Sequence, residues 1–268
     1  MTAEITTLPT YFISHGSPMT VIEDTPARAF LSGLGADIVA RHGRPKAILI
    51  ATAHFEAGAP AFSGGAQPPM IYDFGGFPQA LFEMQYPAPG DPALAERAVS
   101  LLQAEGVPAR AVDRGFDHGT WVPLKLMFPA ADIPVVQVAI LSRHGAGVNF
   151  ALGRALAPLR EENVLIIGSG SLTHNLWELS RIGRSAKETP EWVSRFGDWV
   201  KDAAIAGDAE ALAHYRERAP FAVENHPSEE HFLPLPFALG AAGPGAKGRL
   251  LHESVDYGIL RMDAYEFA

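Results

Sequence analysis

The sequence predicts an α/β fold, a single domain with a mostly parallel central sheet flanked by helices. Two observations predict it. Short apolar runs recur along the chain without the polar alternation of a half-exposed sheet, as expected of strands covered on both faces. Longer segments with helical spacing separate those runs, giving a βαβα order. The chain has 268 residues, of which 47% are hydrophobic and 19% charged, enough for one sizeable core. No internal repeat or low-complexity linker divides it, so residues 1–268 are expected to form one domain.

The first strand is read at Thr10-Tyr11-Phe12-Ile13 and the second at Ala47-Ile48-Leu49-Ile50-Ala51. Residues 134–140 and 163–167, rich in Val and Ile, supply two more. Helices are expected over 26–41, 92–105, 148–161, 192–206 and 209–218. Pro92 suits a first helical turn and Gly106 a stop. Residues 63–69, Ser-Gly-Gly-Ala-Gln-Pro-Pro, read as a turn-rich loop.

Composition narrows the function. No apolar run approaches the roughly 18 residues that would span a bilayer, so no membrane association is expected. The N-terminus shows neither a basic segment nor a continuous apolar one, so no signal peptide is read and a cytoplasmic location is expected. The formal net charge is -9 and no basic block is present, which argues against nucleic acid as a partner. A homo-oligomer is left open. With no cysteine in the chain, disulfides, thiolate nucleophiles and iron–sulfur clusters are excluded.

Histidine is then the natural soft-to-borderline metal ligand, and the chain has ten. In open α/β sheets ligands bind beyond the carboxyl ends of the strands. His15 follows the first strand, His54 the second, and His174 lies beyond the fourth across a Gly-Ser-Gly-Ser run read as a loop. His118 sits in Asp117-His118-Gly119, where a partner would fix its tautomer, though Asp117 need not be that partner. His226 and His231 belong to Asn-His-Pro-Ser-Glu-Glu-His. Ser228 is placed to cap a helix carrying the acids and His231, with Pro234 and Pro236 delaying its regular part toward Leu235. His42, His144, His214 and His252 read as ordinary surface or helix-end residues; for His42 and His144 a position near helical carbonyls is favourable. By residue type alone, three or four imidazole-rich ligands, with or without a carboxylate, would suit Zn, Fe, Cu or Ni.

The motifs together resemble the class III extradiol ring-cleavage dioxygenases, in the DOPA 4,5-dioxygenase-like branch related to the catalytic subunit of protocatechuate 4,5-dioxygenase. The matching stretches run in family order over nearly the whole chain. They are Ser14-His15-Gly16-Ser17-Pro18-Met19, Thr52-Ala53-His54-Phe55, the segment 72–78, Asp117-His118-Gly119-Thr120-Trp121, the segment 168–176, the segment 226–235 and a tail at 258–267. Two departures stand out: Gly75 where relatives carry an aromatic residue, and Phe55 where they often have Trp. Both are expected to reshape the substrate pocket.

The resemblance implies a non-haem Fe(II) site, with Zn often found in purified members. It implies His15, His54 and His231 as ligands, with His226 and Glu230 as competing third ligands. His174 would be the acid/base residue, close enough to the metal to compete as a fourth ligand, and His118 a pocket histidine that orients bound oxygen or phenolate. The expected reaction opens the ring of a catechol-type substrate with O2 to a semialdehyde. Two other readings use the same residues: a zinc-dependent hydrolase with a metal-bound water, and a non-catalytic metal-binding protein on the same fold.

Overall fold

The computed structural model describes residues 7–183, 186 and 188–268. Residues 1–6 of the stretch read for a leader lie outside them. Ten strands are described: β1 (Thr10–Ser14), β2 (Ala47–Glu56), β3 (Ala61–Ser63), β4 (Arg110–Val112), β5 (Val135–Ile140), β6 (Val164–Gly170), β7 (Gly248–His252), β8 (Val255–Asp256), β9 (Leu260–Arg261) and β10 (Ala264–Phe267). Eight form one sheet in the order β4-β3-β5-β2-β6-β1-β10-β7, and β8 pairs with β9 in a separate hairpin. The four strands read from the sequence, β5, β2, β6 and β1, are the parallel centre of the sheet. Antiparallel pairings occur toward its edges, between β3 and β5, β1 and β10, and β10 and β7.

The helices are α1 (Pro26–His42), α2 (Gln79–Phe82), α3 (Pro92–Ala104), α4 (His118–Met127), α5 (Gly145–Leu156), α6 (Leu176–Ile182), α7 (Glu191–Ala206), α8 (Ala209–Ala213), α9 (Tyr215–Arg218), α10 (Ala222–Asn225) and α11 (Pro234–Ala241). The strands alternate between two cores. Leu49, Val136, Val138, Val164 and Ile166 face α3, α5, α7 and α11. Ile48, Ile50, Val135, Leu165 and Ile167 face α1 and α4. This double coverage explains why the runs lack polar alternation. Local chemistry sets the ends of the helices. The Thr25 hydroxyl accepts from Arg28 N at the start of α1, and the Asp91 carboxylate accepts from Leu94 N at the start of α3.

Three expectations are corrected. The segment 209–218 is two short helices, α8 and α9, meeting at His214. The Gly168-Ser169-Gly170 run is the end of β6 and not a loop. Ser228 caps no helix: its hydroxyl donates to Glu230 Oε1 at 3.1 Å, and regular helix begins only at Pro234, whose fixed φ suits a first turn.

Helix α11, Pro-Leu-Pro-Phe-Ala-Leu-Gly-Ala, is buried on every side, as a helix apolar all round must be. It lies against both α5 and β6. A Cβ on Gly168 would overlap the Pro234 carbonyl oxygen, and one on Gly170 the His231 carbonyl oxygen. Ser171 N donates to that His231 carbonyl at 2.9 Å. The two glycines therefore let the segment bearing His231 rest directly on the end of β6. Gly168→Ala is expected to lower stability by about 1–3 kcal/mol through overpacking, read as a reduced urea midpoint with unchanged slope.

Candidate functional site

Five of the singled-out histidines converge at the carboxyl ends of the parallel strands. His15 directly follows β1, and its N–H donates to the Gly170 carbonyl of neighbouring β6 at 2.9 Å. His54, expected beyond a strand ending at Ala51, lies inside β2, which runs on to Glu56. Its position is explained by an irregularity: the β2–β5 register shifts between Thr52 and Glu56. Such a bulge re-aims a side chain beside a site. The buried Thr52 hydroxyl sits 3.2 Å from His54 N, and Arg114 donates to the His54 carbonyl at 2.8 Å, so the bulge is held on both sides. His118 opens α4, and His174 follows β6. His231 lies in the turns before α11.

The side chains form a tight group. His15 Nε2 and His54 Nε2 are 3.2 Å apart. One set of ring nitrogens within 4.8 Å of each other comes from His15, His54 and His118, and a second set of ligand atoms comes from His174, Glu230 and His231. Ring centroids are 5.1 Å apart for His15–His54, 5.5 Å for His15–His231 and 4.9 Å for His54–His231. Closer pairs flank them: His54–His118 at 4.0 Å and His174–His231, stacked at 3.4 Å.

The Nδ1 atoms fix the tautomers. Ser169 gives its hydroxyl hydrogen to the Gly119 carbonyl at 2.5 Å, so at 3.1 Å from His15 Nδ1 it can only accept. His118 Nδ1 lies 2.8 Å from Asp73 Oδ1, His54 Nδ1 3.5 Å from Asp73 Oδ2, and His231 Nδ1 2.9 Å from Glu230 Oε1. Ionised carboxylates only accept. In all four rings a proton is thus drawn to Nδ1, and in the neutral rings Nε2 then carries a lone pair.

Electrostatics agree. Burial, reinforced by neighbouring histidines, pushes His15 and His231 well below the ordinary imidazole range and His54 down to about 3. Burial and His118 lower His174 to about 4. Burial works against ionising Asp73, but its hydrogen bond from His118 prevails and holds it at about 2. At neutral pH the four rings with resolved shifts are neutral, in the form that binds a metal.

These groups line a cavity of about 640 Å³ whose walls include Phe74, Phe77, Leu176, Leu179, Leu260 and Tyr257. Gly75 lines it, in line with the sequence reading. Phe55 does not: it is buried beneath the Arg114 guanidinium, 4.4 Å from its ring centroid, beside Ala61 and Ala139. The expectation that position 55 shapes the pocket is therefore corrected. Asp73 was missed; the segment 72–78 was quoted for its pattern, and no sequence signal ties Asp73 to histidines 19 and 45 residues away. Asp117, in turn, caps α4 through Thr120 N at 3.2 Å and accepts from Thr52 Oγ1 at 2.8 Å.

His226 leaves the list of ligands. It is fully buried among Phe196, Tyr215 and Phe232, and its Nε2 donates to the Leu172 carbonyl at 2.9 Å. Glu230 reaches the site, where it accepts from His231 Nδ1. The four histidines read as ordinary lie elsewhere: His42 ends α1, His214 follows α8, and His252 stacks on Phe30. His144 ends a 3-10 turn, as a helix-end residue, and immediately precedes α5.

The His226 imidazole predicts a pH effect on the fold. Burial lowers it to about 3, whereas the unfolded ring titrates near 6.5. Below about 6.5 the unfolded chain binds a proton that the folded protein refuses. Its contribution is therefore fully present above pH 6.5 and is lost as pH falls toward 3, by about 1.4 kcal/mol per pH unit inside that window. His226→Gln can still donate to the Leu172 carbonyl but does not titrate. Urea denaturation between pH 7 and 4.5 is expected to give a shallower pH slope for it, by about one proton; an equal slope would contradict the assignment.

The chain is similar to known proteins over its whole described length. Residues 9–267 match the family described as the catalytic LigB subunit of aromatic ring-opening dioxygenase. It is 42% identical to the 4,5-DOPA dioxygenase extradiol of Beta vulgaris, over 96% of each chain. It is 38% identical to the protein of that name in Escherichia coli K12, over 96% of this chain and 93% of that one. A crystal structure of an uncharacterized E. coli K12 protein superposes with a TM-score of 0.78 at 32% identity, covering 97% of this chain and 99% of that one.

Proposed function

The chain belongs to the family of catalytic LigB subunits of aromatic ring-opening dioxygenases, and from that premise we propose that it is a non-haem Fe(II) extradiol dioxygenase that opens the ring of a substituted catechol with O2. The product is a ring-opened semialdehyde. Residues 1–268 are read as one catalytic unit working in the cytoplasm. Among the described residues no helix is long and apolar enough to cross a membrane.

The observation that carries the metal reading is the 3.2 Å separation of His15 Nε2 and His54 Nε2. With both protons at Nδ1, two lone pairs face each other, an arrangement that a shared cation turns from repulsive to favourable. With metal–nitrogen bonds of about 2.0–2.1 Å, ligating ring centroids stand about 4.6 Å apart at right angles and about 5.4 Å apart at a tetrahedral angle. The His15, His54 and His231 rings are spaced 4.9 to 5.5 Å, which supports them as the ligand set. The His54–His118 and His174–His231 separations, 4.0 and 3.4 Å, are too short for two ligands of one ion. They favour His118 and His174 as pocket residues.

An iron ion held there supplies Lewis acidity toward phenolic oxygens and the electrons that activate dioxygen. The protein's own residues do the rest. The Phe74, Phe77 and Leu260 side chains give an aromatic ring apolar walls. His174, neutral at physiological pH, accepts a phenolic proton and returns it as the ring opens. His118, its Nδ1–H fixed on Asp73, presents Nε2 to the substrate oxygens. The cavity exceeds what an unsubstituted catechol fills, so the substrate carries an arm. Two relatives are named for 4,5-DOPA, which therefore heads the substrates to test.

Anaerobic reconstitution with Fe(II), followed by an oxygen-electrode survey of substituted catechols, is expected to show uptake with at least one. No uptake across the survey, together with ester or amide hydrolysis by the Zn-loaded protein, would favour the hydrolase instead. His174→Phe is expected to lower turnover by about 100-fold or more while keeping the metal, and His15→Ala to lose the metal. Equal metal loss in both variants would make His174 a ligand.

A further inference from the structure

We infer that Asp73 is the positioning residue of the centre: one carboxylate that holds a proton at Nδ1 of both His54 and His118 and so keeps the His54 Nε2 lone pair turned inward. The inference rests on the metal site proposed above.

Asp73 belongs to the segment 64–78 that follows β3, whereas His54 is on β2 and His118 opens α4. Three separate pieces of chain meet at its carboxylate. Asp73 Oδ1 accepts from His118 Nδ1 at 2.8 Å and from the His118 backbone N–H at 3.0 Å. Asp73 Oδ2 faces His54 Nδ1 at 3.5 Å. The two oxygens are thus divided between the rings, and the extra backbone bond fixes the orientation of the carboxylate. Its side chain is 23% exposed and borders the cavity, so it is placed to act on the site without blocking it.

The division of labour needs an acceptor at both positions. His54 Nδ1 makes no hydrogen bond among those of the described residues, so Asp73 Oδ2 at 3.5 Å is the acceptor it faces, whereas His15 uses Ser169 and His231 uses Glu230. An asparagine of the same shape has one acceptor oxygen and one NH2 donor. Two N–H groups of His118 hold the amide oxygen on that side, so the NH2 falls on His54 Nδ1. That ring must shift its proton to Nε2, where it covers the lone pair facing the centre. Partners of this kind orient metal-binding imidazoles, and their loss typically weakens metal binding about 10–100-fold.

The test uses the full chain, stripped of metal by chelation and titrated with Co(II), followed by calorimetry and by the visible spectrum of the bound ion. Asp73→Asn is expected to raise the Co(II) dissociation constant about 10–100-fold and to alter the visible bands, while the metal-free protein melts as wild type does. Nitrogen NMR of histidine-labelled, metal-free wild type is expected to find His54 and His118 protonated at Nδ1, a readout that depends on no variant folding. Asp73→Asn with wild-type affinity and spectrum would overturn the inference, as would Nε2 protonation of both rings in the wild type. Wild type that takes up no Co(II) while showing Nδ1 protonation would instead overturn the metal reading and leave the tautomer control standing.

Discussion

Two imidazole lone pairs held 3.2 Å apart are the constraint around which this protein is organised. Left alone in the folded chain, that arrangement costs free energy twice, by repulsion and by burying rings away from water. It persists because every outward nitrogen is committed elsewhere, to Ser169, Asp73 or Glu230, so the rings cannot turn or exchange protons to relieve it. Burial adds to the effect by disfavouring the charged imidazole. The result is a neutral, inward-facing donor set held ready for a cation.

No single element could hold such a set. Its members come from β1, from the bulged end of β2, from the start of α4, from the chain after β6 and from the turns before α11. Parallel strands solve the problem by ending together on one rim. The glycines of β6 then allow the His231 segment to approach the rim from the opposite layer. Irregular backbone gathers there: the β2 bulge, the β6 glycines and the non-helical turns at 227–233 all lie within this neighbourhood.

Much of this was legible in the sequence. The four central strands announce themselves because burial on both faces leaves them predominantly apolar, Gln137 being buried within β5. Helices α1 and α3 announce themselves through Thr25, Asp91 and their prolines. The five site histidines could be picked out by their place after strands and by family motifs. What stayed hidden depends on tertiary contact. β3, β4 and β10 are too short to carry a pattern, and β4 is partly exposed. The Ser228 cap failed because its hydroxyl found Glu230, and His226 looked like a ligand only because sequence cannot tell a ring buried among Phe196 and Phe232 from one facing a cavity. Asp73 has no local signature at all; its meaning exists only where the loop after β3 reaches α4.

The sheet also ties the centre to distant parts of the chain. β1, which carries His15 at its end, is wedged between β6 and β10, and Ser14 donates through both its backbone and its hydroxyl to the Asp263 carbonyl just before β10. The first histidine of the centre is thus braced through its neighbour Ser14, whose partner lies 249 positions away along the chain. A contact of that separation closes a long loop, so the pocket depends on non-local pairing of the sheet and on no single local element.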